Sequence, residues 1–183
     1  LGQALQPLIG DPAIAMAALE SFVALYPAEF MAHMRRKLGL TTAHDNDGAL
    51  IDGILHLLAD NAVDYTIFWR RLAQAMASDN HEPVRDLFAD RAGFDRWMLL
   101  YSEHAALDGI ALDANLMLKN NPQFVLRNHL AEQAIRAAQA GNFSELHTLQ
   151  ALLERPFDAH AGFEAYADFP PDWAQHLSIS CSS

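Results

Sequence analysis

The sequence predicts an all-α fold, an irregular multi-helix bundle that ends in a helical hairpin and an extended tail. Helix start and stop signals recur along the 183 residues, and apolar residues repeat at the i, i+3, i+4 spacing of a single helix face. The alternation of β-branched and polar residues that marks half-buried strands is almost missing. Little of the sequence is therefore suited to a β-sheet.

Proline and glycine set the predicted bounds of the first helices. Asp11-Pro12 combines an N-cap with a proline at the first helical position, which predicts a helix to about Phe22. Pro27 predicts the start of a second helix, and Gly39 is suited to the left-handed position that ends it. Two separate helices are expected here.

Apolar stripes predict the helices of the central region, with Asp64 as the expected cap of the second. These helices are expected at about residues 50–58, 64–76, 82–88 and 94–101, with a weaker one at 108–118.

Two further signals predict the hairpin. Asn121-Pro122 is expected to start a helix that runs to Ala140 and stops at Gly141. Ser144 is expected to cap the next helix. The short connection makes the two helices antiparallel neighbours.

The composition divides the chain into two units. Residues 1–154 are expected to form a helical domain of a larger protein, since the start lacks an initiator Met and resembles the end of a helix. Residues 155–183 are richer in Phe, Tyr, Asp and Pro and predict a mostly extended tail, with at most one turn at 172–177. The tail ends in Ser-Cys-Ser-Ser.

Charge and cysteine content narrow the function classes. Twelve basic and 23 acidic residues give a formal charge of −11, which would repel nucleic acid. No apolar run approaches the roughly 20 residues of a membrane span, so no membrane partner is expected. A single cysteine cannot form an internal disulfide, and we expect a bacterial cytoplasmic location.

Short motifs give no catalytic, cofactor-binding or metal-binding residue. His44–Gly48 resembles a calcium loop, but Ala43 and Ile54 stand where carboxylates are required. The histidines are scattered, and phosphate-binding or nucleophile motifs are missing. The acidic pair Glu103 and Asp108 is typical of a solvated helix face.

Three groups of residues allow more than one interpretation. The run 35–37 (Arg-Arg-Lys) is either an anion-binding patch or, as we favour, a match to the negative end of a helix dipole. Arg127 beside Asn128 is either a buried anchor or an interface contact. Cys181 lies in a small, exposed-looking tail, where a thiol is accessible for oxidation or pairing.

Several motifs together resemble the C-terminal region of the selenoprotein O family (UPF0061), and they span nearly the whole chain. They are Met34–Leu40, Asp64–Leu72, Asn121–Ala131, Gly141–Phe143, Pro170–Ala174 and Ser180–Ser183. Two of these motifs, the third and the fifth, contain the residues of structural interest, which are Asn121, Pro122, Arg127, Asn128, Pro170, Pro171 and Trp173.

The resemblance implies a pseudokinase-like protein adenylyltransferase, which transfers AMP from ATP to Ser, Thr or Tyr hydroxyls of proteins with Mg or Mn. Its nucleotide- and metal-binding residues are expected in a kinase-like domain that precedes Leu1. This chain alone is then expected to bind no cofactor and to catalyse nothing. Its implied partners are that domain, in cis, and the protein substrates.

The resemblance also implies a role for Cys181, whose position carries selenocysteine in eukaryotic members of the family. In bacterial members it is linked to a disulfide with a cysteine near the catalytic loop, which implies redox regulation. Ser178 stands where some relatives have a second cysteine, so a self-contained dithiol is not expected. A free-standing helical interaction module and a thiol oxidoreductase acting through Cys181 remain the alternatives.

Overall fold

The computed structural model describes residues 2–108 and 112–177, and these residues form nine α-helices and no strand. The all-α prediction is confirmed. The helices are α1 (Gly2–Ile9), α2 (Pro12–Lys37), α3 (Asp47–Asp60), α4 (Tyr65–Ser78), α5 (Glu82–Arg85), α6 (Arg91–Ala105), α7 (Ala114–Asn120), α8 (Asn128–Gln139) and α9 (Ser144–Glu154).

The main core lies between the end of α2 and helices α3 to α7. Aromatic rings pack through its centre. Trp97 and Tyr101 stack with their centroids 5.1 Å apart, and Phe68 and Trp69 meet edge to face at 5.0 Å. Ring pairs of this kind add to the free energy gained from burying their area. The largest fully buried side chains are Trp69, Tyr101, Phe68, Phe94, Leu38, Ile51, Ile54, Leu72 and Met117.

Helices α8 and α9 form the predicted hairpin, with a smaller core of their own. Leu130, Ala134 and Leu149 are its buried residues, and Tyr166 of the tail packs against them. Gly141 ends the first helix at a φ of +79°, a conformation that strongly favours glycine. Ser144 is the first helical residue rather than the cap, and its N–H donates to Asn142 Oδ1 at 3.0 Å.

The prediction of two helices before Gly39 is wrong, because α2 is continuous for 26 residues and contains Pro27. The start at Asp11-Pro12 is confirmed. Ring contacts explain the continuity, since Phe22 and Tyr26 lie 5.5 Å apart and Tyr26 and Phe30 5.9 Å apart. The second of these i, i+4 contacts spans the proline, and together they favour the helix on both sides of it.

The prediction that Asn121-Pro122 starts a helix is also wrong. Helix α8 starts at Asn128, and residues 121–127 are not helical. Two N–H groups of this segment, from Gln123 and Phe124, donate to Pro156 O at 2.7 and 3.2 Å. Pairing with the start of the tail therefore replaces the helical hydrogen bonds.

The tail contains more local structure than predicted. It forms two short 3₁₀ helices, Glu164–Ala167 and Asp172–His176, where at most one turn was expected. Aromatic side chains explain the difference because they fold back onto the helices. Tyr166 Oη donates to Glu145 Oε2 at 2.9 Å.

Helix α2 is also, within the described ranges, the one helix whose length and composition would allow it to cross a membrane. Length and composition do not separate a membrane span from a helix that packs on other protein. Met34, near the end of α2, is buried in the main core, whereas the earlier turns of the helix are mostly exposed.

Candidate functional site

The structure brings two of the residues of structural interest, Asn121 and Arg127, together with three side chains from the first two motifs. We call this set the polar junction; it consists of Lys37, Asp64, Arg70, Asn121 and Arg127. It connects the end of α2, the start of α4 and the non-helical segment before α8.

Arg70 is the most heavily bonded member of the polar junction, and only 9% of its surface is exposed. The guanidinium donates to four neutral acceptors, Leu118 O, Asn121 O, Phe157 O and Gln123 Oε1, each at 3.2 Å. Burial lowers the pKa of Arg70, but an arginine stays charged at any physiological pH. One cation on α4 therefore holds both the segment before α8 and the start of the tail.

Asn121 and Lys37 hold each other by two hydrogen bonds. Lys37 Nζ donates to Asn121 Oδ1, and Asn121 Nδ2 donates to Lys37 O, both at 2.9 Å. The ammonium also lies over the rings of Tyr65 and Trp69, at 5.6 and 5.3 Å from their centroids. Burial lowers the pKa of Lys37 to about 8, while the rings and the amide oxygen favour the charged form.

The other two cations of the basic run are also engaged inside the chain. Arg35 Nη1 forms an ion pair with Asp47 at 3.2 Å, and Arg36 Nη2 lies 2.9 Å from His33 Nδ1. All three residues occupy the last turn of α2, where positive charge complements the helix dipole. These contacts favour the dipole interpretation over an anion-binding patch.

Asp64 and Arg127 form a two-bonded ion pair, with Nη–Oδ distances of 2.6 and 3.1 Å. Asp64 Oδ1 also accepts from the N–H of Ile67, so the predicted cap of α4 is confirmed. Burial raises the pKa of Asp64, but hydrogen bonds from Arg127 and the backbone outweigh it and bring the pKa below its ordinary value of 3.8. Arg127 is a partly buried anchor, one of the two interpretations left open by the sequence.

We expect Arg127→Met to lower the free energy of unfolding at pH 7 by about 1–3 kcal/mol, because it removes two charge-assisted hydrogen bonds from a pair that is mostly buried. The low pKa of Asp64 gives the sign of the pH dependence. The pair stabilises the fold above about pH 4, and its contribution is lost as pH falls through the folded-state pKa. Urea unfolding between pH 3 and 7 measures both effects.

Arg136→Met is the matched control for that prediction. Arg136 pairs with Glu132 one turn away on α8, and its side chain is 70% exposed. An exposed pair of this kind contributes about 0.5 kcal/mol or less. Equal losses in the two variants, or a loss at Arg127 that does not shrink in acid, would contradict the prediction.

The tail motif lies against α8. The rings of Trp173 and His129 meet edge to face, with centroids 6.2 Å apart. Pro171 lines an open cavity of about 620 Å³ between α8 and the tail, whereas Pro170 is exposed. Burial and the charge of Arg127 lower the pKa of His129, so the neutral ring is favoured under Trp173.

The remaining motif residues have smaller roles or cannot be placed. Pro122 lies in the non-helical segment, and Asn128 is the exposed first residue of α8. Cys181 lies outside the described residues, so its predicted redox role stays a prediction.

A second polar cluster was missed by the sequence analysis. Asp47 is 1% exposed and accepts from His104 Nε2 at 2.7 Å, from Arg35 Nη1 at 3.2 Å and from the N–H of His44 at 3.1 Å. It links the polar loop before α3 to α2 and α6. The one sequence signal was an acidic residue in the first turn of a helix, which many exposed helices also have.

These contacts connect segments of the chain. Within residues 2–108 and 112–177, no three His, Cys, Asp or Glu side chains are grouped so that they could hold a metal ion. Most of the polar side chains described above are bonded to neighbouring carbonyls, amides or opposite charges, although Arg70 Nε and Arg127 Nε are buried without a hydrogen-bond partner among the described residues. Their geometry is that of a scaffold for the tail.

Comparison with known proteins gives the family. The family model described as "Protein adenylyltransferase SelO" matches residues 1–154. Proteins named protein nucleotidyltransferase YdiU are similar over the whole chain, with 60% identity in Variovorax paradoxus, 54% in Albidiferax ferrireducens and 44% in Pseudomonas fluorescens.

The chain spans only 37–38% of the length of these curated relatives and corresponds to their C-terminal part. The family model covers all nine of the described helices, and the relatives extend the similarity through the tail. The chain therefore belongs to the SelO protein adenylyltransferase family.

Proposed function

We propose that this chain is the C-terminal helical region of an enzyme that transfers AMP from ATP to Ser, Thr or Tyr hydroxyls of other proteins in the bacterial cytoplasm. The observation that carries the proposal is the match of residues 1–154 to the SelO family, together with 60% identity to a YdiU nucleotidyltransferase over the whole chain. A free-standing interaction module or a thiol oxidoreductase has no comparable support.

The role of the chain within that enzyme is structural. ATP and its Mg or Mn ion would be held by the part of the polypeptide that this chain does not span, because no nucleotide-binding motif is found here and the described residues group no metal ligands. The chain would cover a face of the kinase-like part and shape the groove for protein substrates. The polar junction supports this role, since it holds helices and tail in one arrangement.

The tail would add redox regulation through Cys181. The family resemblance provides the partner, a cysteine near the catalytic loop, and the contact between Trp173 and His129 supports the idea by anchoring the tail eight residues earlier. Disulfide formation removes two electrons and two protons from the two thiols, which an oxidant such as glutathione disulfide accepts. The bond would hold the tail across the active region and limit substrate access.

Transfer of labelled AMP to protein substrates tests the structural role. We expect the complete polypeptide to label its substrates, the 183-residue chain alone to label nothing, and a polypeptide without these residues to lose both stability and transfer. Full stability and full transfer without the chain would contradict the proposal.

The redox role needs its own comparison in the complete polypeptide. Labelling by the unmodified protein should change when glutathione disulfide replaces a thiol reductant, whereas the Cys181→Ser variant should respond little. Ser182→Ala, a change one residue away, is the matched control and should respond like the unmodified protein. Equal responses in the Cys181→Ser and Ser182→Ala variants would contradict regulation through this thiol.

A further inference from the structure

Helices α1 and α2 carry the largest group of exposed apolar side chains in the described part of the chain. Ten of the 22 large hydrophobic residues that are exposed there fall within residues 5–26. We call these ten the α1–α2 surface; they are Leu5, Leu8, Ile9, Ile14, Met16, Leu19, Phe22, Val23, Leu25 and Tyr26. Single exposed hydrophobics are ordinary, but a contiguous group of this size marks an interaction surface.

The α1–α2 surface continues the main core. Leu19, Phe22 and Tyr26 follow one another at helical spacing and lead along the same face of α2 to Phe30 and Met34. Exposure falls along this line, from 60% at Phe22 to 2% at Met34. One face of a single helix is therefore buried at one end and bare at the other, which indicates that more protein packs on the bare end.

The bare part of α2 is apolar on more than one side. Ile14 and Leu25 lie on the opposite side of the helix from Met16 and Val23, and they are 60% and 62% exposed. Glu20 is the one charged residue between Pro12 and Ala28. Helices that are apolar all round lie in the interior of a larger protein or in a membrane.

The details of α2 argue against a membrane. Glu20 would lie near the middle of a span made by the exposed turns, where an ionised side chain is strongly disfavoured. Helix α1 packs against α2 and, at 8 residues, is too short to span with it. Residues 2–34 contain no Lys or Arg to attract anionic lipid, and the chain as a whole is acidic.

A second copy of the chain also explains the surface poorly. Two identical helices that pair across a twofold axis each cover one face of the other. One of the two opposite sides, that of Ile14 and Leu25 or that of Met16 and Val23, would then stay in water. A partner that surrounds α2 on several sides is required.

We propose that the α1–α2 surface packs into the part of the same polypeptide that precedes this chain in its relatives, so that α2 links the two parts through a shared apolar core. The relatives supply the occupant, since more than three fifths of their length lies outside the region matched here. The inference rests on the proposed function for the identity of that preceding part, and it does not require that part to transfer AMP.

Thermal unfolding of the complete polypeptide tests the packing with two matched variants. Leu25→Asp places a charge on the α1–α2 surface, and Leu99→Asp places one on α6 at nearly the same exposure, 62% against 61%. We expect the melting temperature to fall by roughly 5 °C or more for Leu25→Asp and by about 1–2 °C for Leu99→Asp. A Leu25→Asp protein as stable as the Leu99→Asp protein would overturn the proposal.

Hydrogen exchange of the unmodified complete polypeptide gives a second measurement, which does not depend on whether the variants fold. Amides of Ala13–Tyr26 should exchange as slowly as those of the core helix α4. Exchange of these amides as fast as at the chain termini would overturn the proposal. Flotation of the protein with phosphatidylglycerol vesicles would also overturn it, because it would point to a membrane. So would protection of these amides only at concentrations where sedimentation shows a dimer. None of these measurements depends on AMP transfer. A protein that is inactive but has protected helices would therefore contradict the proposed function and leave the packing proposal standing.

Discussion

Replacing Arg70 with methionine should lower the free energy of unfolding by about 3–5 kcal/mol, the largest effect we expect of any single change in the described residues. The four acceptors of this guanidinium lie on three different segments, and three of them are backbone carbonyls. Methionine fills similar space but donates no hydrogen bond. The three carbonyls would then lose this donor, and Asn121, which carries one of them, is fully buried.

Arg70→Lys tests the contribution of the positive charge separately from that of the several N–H donors of the guanidinium. Lysine keeps the positive charge but reaches fewer of the four acceptors, since its donors all leave one nitrogen. We expect it to recover only part of the loss, about 1–2 kcal/mol. Full recovery would show that charge, rather than the pattern of hydrogen bonds, holds the segments together.

Arg71→Met is the matched control for both variants, and urea unfolding at pH 7 is the measurement. Arg71 is the next residue of α4, and its guanidinium donates one hydrogen bond, to Pro83 O, and lies 5.4 Å from the centre of the Phe169 ring. Its loss should cost about 1 kcal/mol or less. An effect at Arg70 no larger than at Arg71 would contradict the role assigned to the polar junction.

Several helix ends were predicted correctly where the signal acted through its immediate neighbours. Gly39 ends α2 with a φ of +69°, and Asp64 caps α4, both as expected. The helix starts predicted at Pro27 and Asn121 were wrong because contacts one turn away or far away in sequence determine the structure there. The rings on either side of Pro27 favour one continuous helix, and the side chain of Asn121 is bonded to Lys37 rather than to a following helix.

The candidate site was less predictable than the fold. The family motifs pointed to Asn121 and Arg127, but their partners Lys37 and Asp64 are far away in sequence, and no spacing rule connects them. Arg70 stood within a quoted motif without any sign that it would be buried. Such contacts follow from the packing of whole helices, which one sequence without relatives does not reveal.

We expect Asp47→Asn to lower the free energy of unfolding by about 2–4 kcal/mol, with little change in side-chain volume. An ionised carboxylate only accepts hydrogen bonds, so the proton of the contact with His104 lies on Nε2. Asparagine has one oxygen for the donors of Arg35, His104 and the His44 backbone, and it adds donors of its own. The amide donor would then face either His104, which must change its tautomer to accept, or the two donors of Arg35 and the His44 backbone.

Asp45→Asn is the control, since Asp45 is exposed and lies in the same loop. It should change the free energy of unfolding by about 0.5 kcal/mol or less. A double-mutant cycle with His104→Gln isolates the direct contact, and we expect a coupling of about 1–3 kcal/mol because the two side chains touch at 2.7 Å. Additive losses in the double-mutant cycle would contradict a direct bond between Asp47 and His104. Equal losses at Asp45 and Asp47 would show that the buried cluster does not hold α2, α3 and α6 together.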